Sequence, residues 1–219
     1  MMPTRFDPAD PHACAPVLAA GTPLAEARAA VILAHGRGAD ARDMLGLAQH
    51  FAVPGVAYLA PDATMQHWYP ARFMEPLAHN APWLSSALAC VGRAVQAVGA
   101  AGIPAERLVL GGFSQGACLA LEYAARHATR YGGLVALAGG LIGPDGTPRD
   151  YAGSFDGTPA FIGVGDVDAH IPVARARHSA DVLERMGAAV DLRVYPGLPH
   201  TVVPDQVEAA RALIAAMAG

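Results

Sequence analysis

Lysine is absent from this chain of 219 residues, and all fifteen basic side chains are arginines. That excludes a Schiff-base lysine and the lysine of a phosphate-binding P-loop. Cysteine is scarce: Cys14, Cys90 and Cys118 are an odd number at wide spacing. They build neither a disulfide framework nor a zinc-ligand pattern, and Cys90 and Cys118 fall in helical stretches as small buried residues. Excess positive charge is also missing, since the formal net charge is −4 and the pI about 6.1. A nucleic-acid partner, which would need a concentrated basic face, is not expected. No apolar run approaches the length of a membrane span. Met1 to Pro16 carries charges, prolines and a histidine in place of the continuous apolar core of a signal peptide. A soluble, cytoplasmic protein without stable membrane association is therefore expected. What the chain does have is 53% hydrophobic residues, enough for the core of a single domain spanning 1–219.

Short apolar segments alternate with helical ones. Val31–Ala34, Val56–Ala60, Leu108–Gly111, Gly133–Ala138, Pro159–Val164 and Ala189–Tyr195 read as strands. Asp40–Ala52, with Asp40 as N-cap, Trp83–Ala101, Ala117–His127, Val173–Met186 and Asp205–Ala218 read as helices. Gly102 and Gly187 fit helix stops. Buried strands alternating with helices predict an α/β fold, a mostly parallel sheet with helices on both faces. Its core should run from about residue 31 to 219, with 62–82 and 141–158 as excursions lining a pocket. No repeat and no interdomain linker is visible.

Gly112-Phe113-Ser114-Gln115-Gly116 is the most informative stretch. The motif follows a predicted strand and precedes a predicted helix. A serine at such a tight turn is pushed out of the sheet with its hydroxyl exposed, and the glycines permit the sharp bend. The helix behind it aims backbone N–H groups and its positive dipole end at developing negative charge. Ser114 is thus a candidate nucleophile. The N–H of Gln115, the residue after it, is a candidate oxyanion donor.

Serine needs a base, and the base needs an acid to fix its tautomer. In a parallel sheet, ligands bind beyond the carboxyl ends of the strands. The loop after Val164 holds Asp166 and Asp168, and the loop after Tyr195 ends in His200. Both reach the rim that carries Ser114, and the order Ser114, Asp168, His200 is the serine–acid–histidine order of a hydrolase. Asp166 competes for the role of the acid. Asp166 to His170 could also be read as metal ligands, but no further ligand stands at suitable spacing, so no metal and no cofactor is expected. His12, His50, His79, His127 and His178 read as surface or capping residues. Glu122 and Arg126 read as a solvated i,i+4 pair.

With these residues in place, the chain resembles the acyl-protein thioesterase/carboxylesterase (phospholipase/carboxylesterase) family of α/β hydrolases. Gly112–Gly116 matches the nucleophile turn, and His35-Gly36-Arg37-Gly38 matches the His-Gly loop. Gly165-Asp166-Val167-Asp168-Ala169-His170-Ile171-Pro172 matches the acid loop. Trp68-Tyr69 falls where the family carries an aromatic pair, and His200 precedes the last helix as its base does. Departures are Val164, where a histidine is common, Ala117, where a third glycine is common, and Arg37, where an apolar residue is common. The resemblance implies an α/β-hydrolase fold and Arg37 as the second backbone oxyanion donor beside Gln115. It also implies pairing into a homodimer.

The expected activity is that of a serine carboxylesterase on small to medium acyl esters, through an acyl-enzyme. His35 is expected to shape the oxyanion loop at the substrate. Trp68, Tyr69, Phe73 and Trp83 form an apolar wall for the acyl or aryl group, anchor their long loop to the body, or do both. The Arg37 side chain either favours an anionic substrate portion or points to solvent. The alternatives are an acyl-thioesterase or lysophospholipase for longer chains, and a non-catalytic, hydrolase-like binding protein. A dienelactone-type hydrolase, which uses cysteine, ranks low because position 114 is serine.

Overall fold

The computed structural model describes residues 7–219; residues 1–6, part of the N-terminal stretch judged above against a signal peptide, lie outside the described region. Seven strands form one sheet: β1 (Val17–Gly21), β2 (Ala29–Ala34), β3 (Val56–Pro61), β4 (Leu108–Phe113), β5 (Gly133–Leu137), β6 (Pro159–Gly165) and β7 (Ala189–Tyr195). Their spatial order is β1-β3-β2-β4-β5-β6-β7. All neighbours are parallel except β1, which pairs antiparallel with β3 through Val17 to Gly21 against Pro61 to Ala57. The helices are α1 (Ala41–Ala48), α2 (Trp83–Ala100), α3 (Gln115–Arg126), α4 (Val173–Arg185) and α5 (Pro204–Ala218).

The central strands are buried on both faces, which is why they are apolar without alternation. Their side chains still divide by the two-residue period. Ala30, Ile32 and Ala34 of β2 join a core layer with α2, α3 and α4, whereas Ala29, Val31 and Leu33 join the layer under α1 and α5. The mostly parallel sheet with helices on both faces is the architecture that the alternation predicts.

Three sequence readings are corrected here. The sheet begins at Val17, fourteen residues before the first strand expected, because the edge strand β1 is held by pairing to β3 and not by its own pattern. Residues 141–158 do not line the pocket beside Ser114. They pack behind its wall, where the Gly143 N–H donates to the Phe73 carbonyl at 2.7 Å. His12 is fully buried and not a surface residue: its ring bonds the Trp68 carbonyl at 3.0 Å and accepts from the Thr64 N–H at 3.2 Å.

Local chemistry sets the element ends around the site. Asp40 caps α1 by accepting from the N–H groups of Arg42 and Asp43 at 2.7 and 3.2 Å, and Asp43 returns the bond to the Asp40 N–H at 3.0 Å. β2 and β4 lie side by side while β3 continues on the far side of β2. The strand order therefore reverses between β2 and β4, and their carboxyl ends open a crevice there. Both the His35-Gly36 loop and Ser114 emerge into it.

Candidate active site

Ser114 sits between β4 and α3 with φ 55° and ψ −119°. This is a backbone region that a side chain enters at a cost of about 1–3 kcal/mol. The surroundings hold it there. The Ser114 N–H donates to the Leu137 carbonyl at 2.9 Å, and the Cys118 N–H donates to the Ser114 carbonyl at 3.0 Å. The flanking glycines are required by close approach to β2. A Cβ on Gly112 would lie 2.4 Å from the Ala34 carbonyl oxygen, and one on Gly116 would lie 2.0 Å from the same atom. The bend thus presses onto the end of β2 and brings Gly36 alongside: a Cβ there would stand 3.4 Å from the Ser114 Cβ.

The Ser114 Oγ lies 2.7 Å from His200 Nε2, and His200 Nδ1 lies 2.7 Å from Asp168 Oδ2. The Asp168 side chain is fully buried, and His200 is partly open at 19% exposure. The other carboxylate oxygen of Asp168 accepts from the N–H groups of His170 and Ile171 at 2.7 and 2.9 Å. Three hydrogen bonds therefore compensate its burial. Since a carboxylate only accepts, His200 carries its proton on Nδ1, leaving Nε2 free to accept the serine proton. Phe113 and His170 pack against the imidazole, with ring centroids 5.0 and 4.7 Å away. Asp166 has a different task. Its carboxylate accepts from the Gly197 N–H at 2.6 Å, tying the acid loop to the histidine loop.

Gln115 opens α3, so its backbone N–H is among the first-turn donors that have no partner within the helix. Its side chain is a clamp: Oε1 accepts from the Trp68 N–H at 2.9 Å, and Nε2 donates to the Tyr69 carbonyl at 2.8 Å. Arg37 clamps the same loop from the other side. Its guanidinium donates to the carbonyls of Tyr69, Pro70 and Ala71 at 2.8, 3.0 and 2.8 Å. This clamp is a use of the side chain not weighed from sequence, and Arg37 also lines the cleft above Ser114. His35 lies beneath. Its Nδ1–H donates to the Gly36 carbonyl at 2.8 Å and its Nε2 accepts from the Ala63 N–H at 2.9 Å. Burial lowers its pKa below 6.5, which keeps it neutral.

A cleft of about 290 Å³ opens above Ser114 and His200. Tyr69 and Phe73 line it; Trp68, Trp83 and His35 do not. Trp68 is fully buried, with its indole N–H donating to the His35 carbonyl at 2.8 Å. Trp83 stacks on His67 at 4.6 Å and meets the His12 ring edge-on at 5.4 Å. The two tryptophans anchor the loop because their large rings fill the space between it and the body. Cys118, one helical turn after Ser114, also lines the cleft, but burial pushes its thiol up to about 12, so it stays protonated. Sequence reasoning missed Arg72, Ile171 and the Gln115 side chain. Only Ile171 and Gln115 stood inside motifs that could have drawn attention to them.

A larger cavity of about 600 Å³ lies at the opposite end of the sheet, between α5 and the starts of β5, β6 and β7. Among the described residues its lining holds no serine, cysteine or histidine. Ser114, Cys118 and His200 all line the smaller cleft. No group of three or more potential metal ligands occurs among the described residues, and no described helix is long and apolar enough to cross a membrane.

Comparisons with known proteins give the family and the fold. The family model described as Phospholipase/Carboxylesterase matches residues 17–218. A crystal structure of a phospholipase/carboxylesterase from Dyadobacter fermentans is 45% identical, covers 91% of this chain and 96% of its own, and superposes with a TM-score of 0.88. Acyl-protein thioesterase 1 of Gibberella zeae is 33% identical over 116 residues, which is 52% of this chain and 49% of that protein. Acyl-protein thioesterase 1 of Saccharomyces cerevisiae is 34% identical over 109 residues, 49% of this chain and 48% of that protein. The chain spans about half the length of these curated relatives. It belongs to the phospholipase/carboxylesterase family and has the α/β-hydrolase fold.

Proposed function

We propose that this chain is a serine esterase that hydrolyses small to medium acyl esters through an acyl-enzyme. The observation that carries the reading is the continuous pair of 2.7 Å contacts from Ser114 through His200 to Asp168. Ser114 Oγ attacks the ester carbonyl while His200 Nε2 takes its proton. Asp168 holds the imidazole and stabilises its cationic form. The carbonyl oxygen becomes an oxyanion, received by the backbone N–H groups of Gln115 and Arg37. On collapse the C–O bond to the alcohol breaks, and His200 returns the proton to the leaving oxygen. Water, deprotonated by His200, then attacks the acyl-enzyme, and the acid and free Ser114 are released. A cleft of about 290 Å³ is near the lower end of ligand sites, about 300–1,000 Å³, and supports short or medium acyl groups. No metal or cofactor enters any of these steps.

A second reading, a thioesterase acting on longer acyl chains, has the names of the acyl-protein thioesterase relatives in its favour. Hydrolysis of p-nitrophenyl esters from acetate to laurate separates the two. The esterase reading predicts a maximum at short or medium chains and loss of turnover in Ser114→Ala. A rate still rising at laurate favours the thioesterase. Unchanged turnover in Ser114→Ala overturns both.

A further inference from the structure

The charge in the cleft wall is one-sided. Among the described residues Arg37 and Arg72 line it, and no carboxylate does. Asp168, the nearest acid to the chemistry, is sealed beneath His200 with its side chain fully buried. Among the described residues neither arginine has an ion-pair partner. Arg37 is bonded only to backbone carbonyls. Arg72, exposed at the mouth, reaches across to the acid loop in a single long contact of 3.4 Å to the Ala169 carbonyl. Among the described residues that leaves most of the five guanidinium donors of Arg72 without a partner. Other arginines of the chain are ion-paired, Arg126 and Arg149 with Glu122, Arg175 with Asp145, Arg193 with Asp191 and Asp205, while Arg28 and Arg130, like Arg37, bond backbone carbonyls. The molecule as a whole carries a net charge of −4. Its overall field repels anions, so the two unpaired cations at the cleft act against the background.

We propose that the site selects esters carrying a carboxylate near the scissile carbonyl, and that Arg72 is the specificity-determining residue that receives it. The inference rests on the serine-esterase reading above and names its substrate class. Arg72 would give up its long bond to Ala169 and form a forked, charge-assisted pair with the substrate carboxylate. Arg37, fixed by its three carbonyl bonds, supplies a second positive charge without moving. A cleft this small keeps any occupant within reach of both Ser114 and the rim.

The carboxylate could sit on the acyl or the alcohol side, and two substrate pairs distinguish them. Mono-p-nitrophenyl adipate is compared with p-nitrophenyl hexanoate, and 4-butyryloxybenzoate with its methyl ester. Spontaneous hydrolysis is subtracted in each case. The expected result is a kcat/KM at least about 10-fold higher for the anion in one pair, the order set by one charge-assisted contact. That ratio should fall about 10-fold in Arg72→Gln, return in part in Arg72→Lys, and stay at its original value in Arg211→Gln, an exposed arginine of α5 outside the cleft. It should also shrink as salt is raised toward 1 M, because the pair is at the surface. Equal or lower activity on both anions, or a ratio unmoved by Arg72→Gln, overturns the proposal. If neutral esters are still turned over in a Ser114-dependent way, this inference alone has failed. If Ser114→Ala hydrolyses them as fast as the native chain, the esterase reading has failed with it.

Discussion

Replacing Asp168 by asparagine changes one atom and tests the logic of the site. One carboxylate oxygen of Asp168 accepts from the N–H groups of His170 and Ile171, and the other faces His200 Nδ1. In Asp168→Asn the amide oxygen must stay on the two backbone donors, because an NH2 group there would leave them unpaired. The NH2 then faces Nδ1, which must become the acceptor. The imidazole proton moves to Nε2, where it points at Ser114 and can no longer receive the serine proton. Loss of this tautomer costs about 10⁴ in kcat in a serine triad, or about 5.4 kcal/mol of barrier at about 1.36 kcal/mol per decade. The assay is kcat on p-nitrophenyl butyrate beside a thermal melt. The melt should still show a cooperative fold, since all three hydrogen bonds have a donor and an acceptor. Asp166→Asn removes the charge from the competing acid, whose carboxylate only ties Gly197, and should change kcat by less than about 10-fold. A loss below 10-fold in Asp168→Asn, or a larger loss in Asp166→Asn, refutes the assignment.

Other consequences are structural. Gly116→Ala puts a Cβ 2.0 Å from the Ala34 carbonyl oxygen and should destabilise by at least about 2 kcal/mol in urea unfolding; an unchanged midpoint contradicts the packing described. Glu122→Ala strips the acceptor from Arg126, Arg149, Tyr151 and the Ile142 N–H, and should cost about 3–5 kcal/mol because Arg149 is left buried and unpaired. A change below 1 kcal/mol would return Glu122 to the solvated surface. Burial lowers the pKa of both His12 and His35 below 6.5. The unfolded chain then binds the extra protons more readily, so their contribution to stability is complete above pH 6.5 and declines as pH falls through the lower folded values. Melting temperature should drop between about pH 7 and 5, less steeply in His12→Gln; a flat native profile contradicts this.

The sheet, its helices and the contacts around Ser114 were legible because they depend on local pattern. The strand–turn–helix context of Gly112 to Gly116 and the positions of Asp168 and His200 after strands are both written in short stretches. What was not legible depends on partners far along the chain. β1, Val-Leu-Ala-Ala-Gly, is mostly exposed and becomes a strand only by pairing with β3. Glu122 and Arg126 have the spacing of a surface pair, yet α3 is buried over nearly its whole length, and Glu122 meets Ile142, Arg149 and Tyr151 from a distant segment. Sequence left the four loop aromatics divided between wall and anchor, and of these Tyr69 and Phe73 reach the cleft. Trp68 is turned inward by its bond to the His35 carbonyl. The clamp that Arg37 and Gln115 place on that loop has no signature in sequence, because its acceptors are backbone carbonyls.

The central claim is that Ser114 is the nucleophile, and covalent labelling addresses it most directly. The native protein is treated with a fluorophosphonate, digested, and mapped by mass spectrometry alongside Ser114→Ala. The account predicts a single adduct on Ser114 in the native chain, loss of ester hydrolysis in step with labelling, and neither label nor turnover in Ser114→Ala. An adduct on another residue, or full hydrolysis by Ser114→Ala, would contradict it.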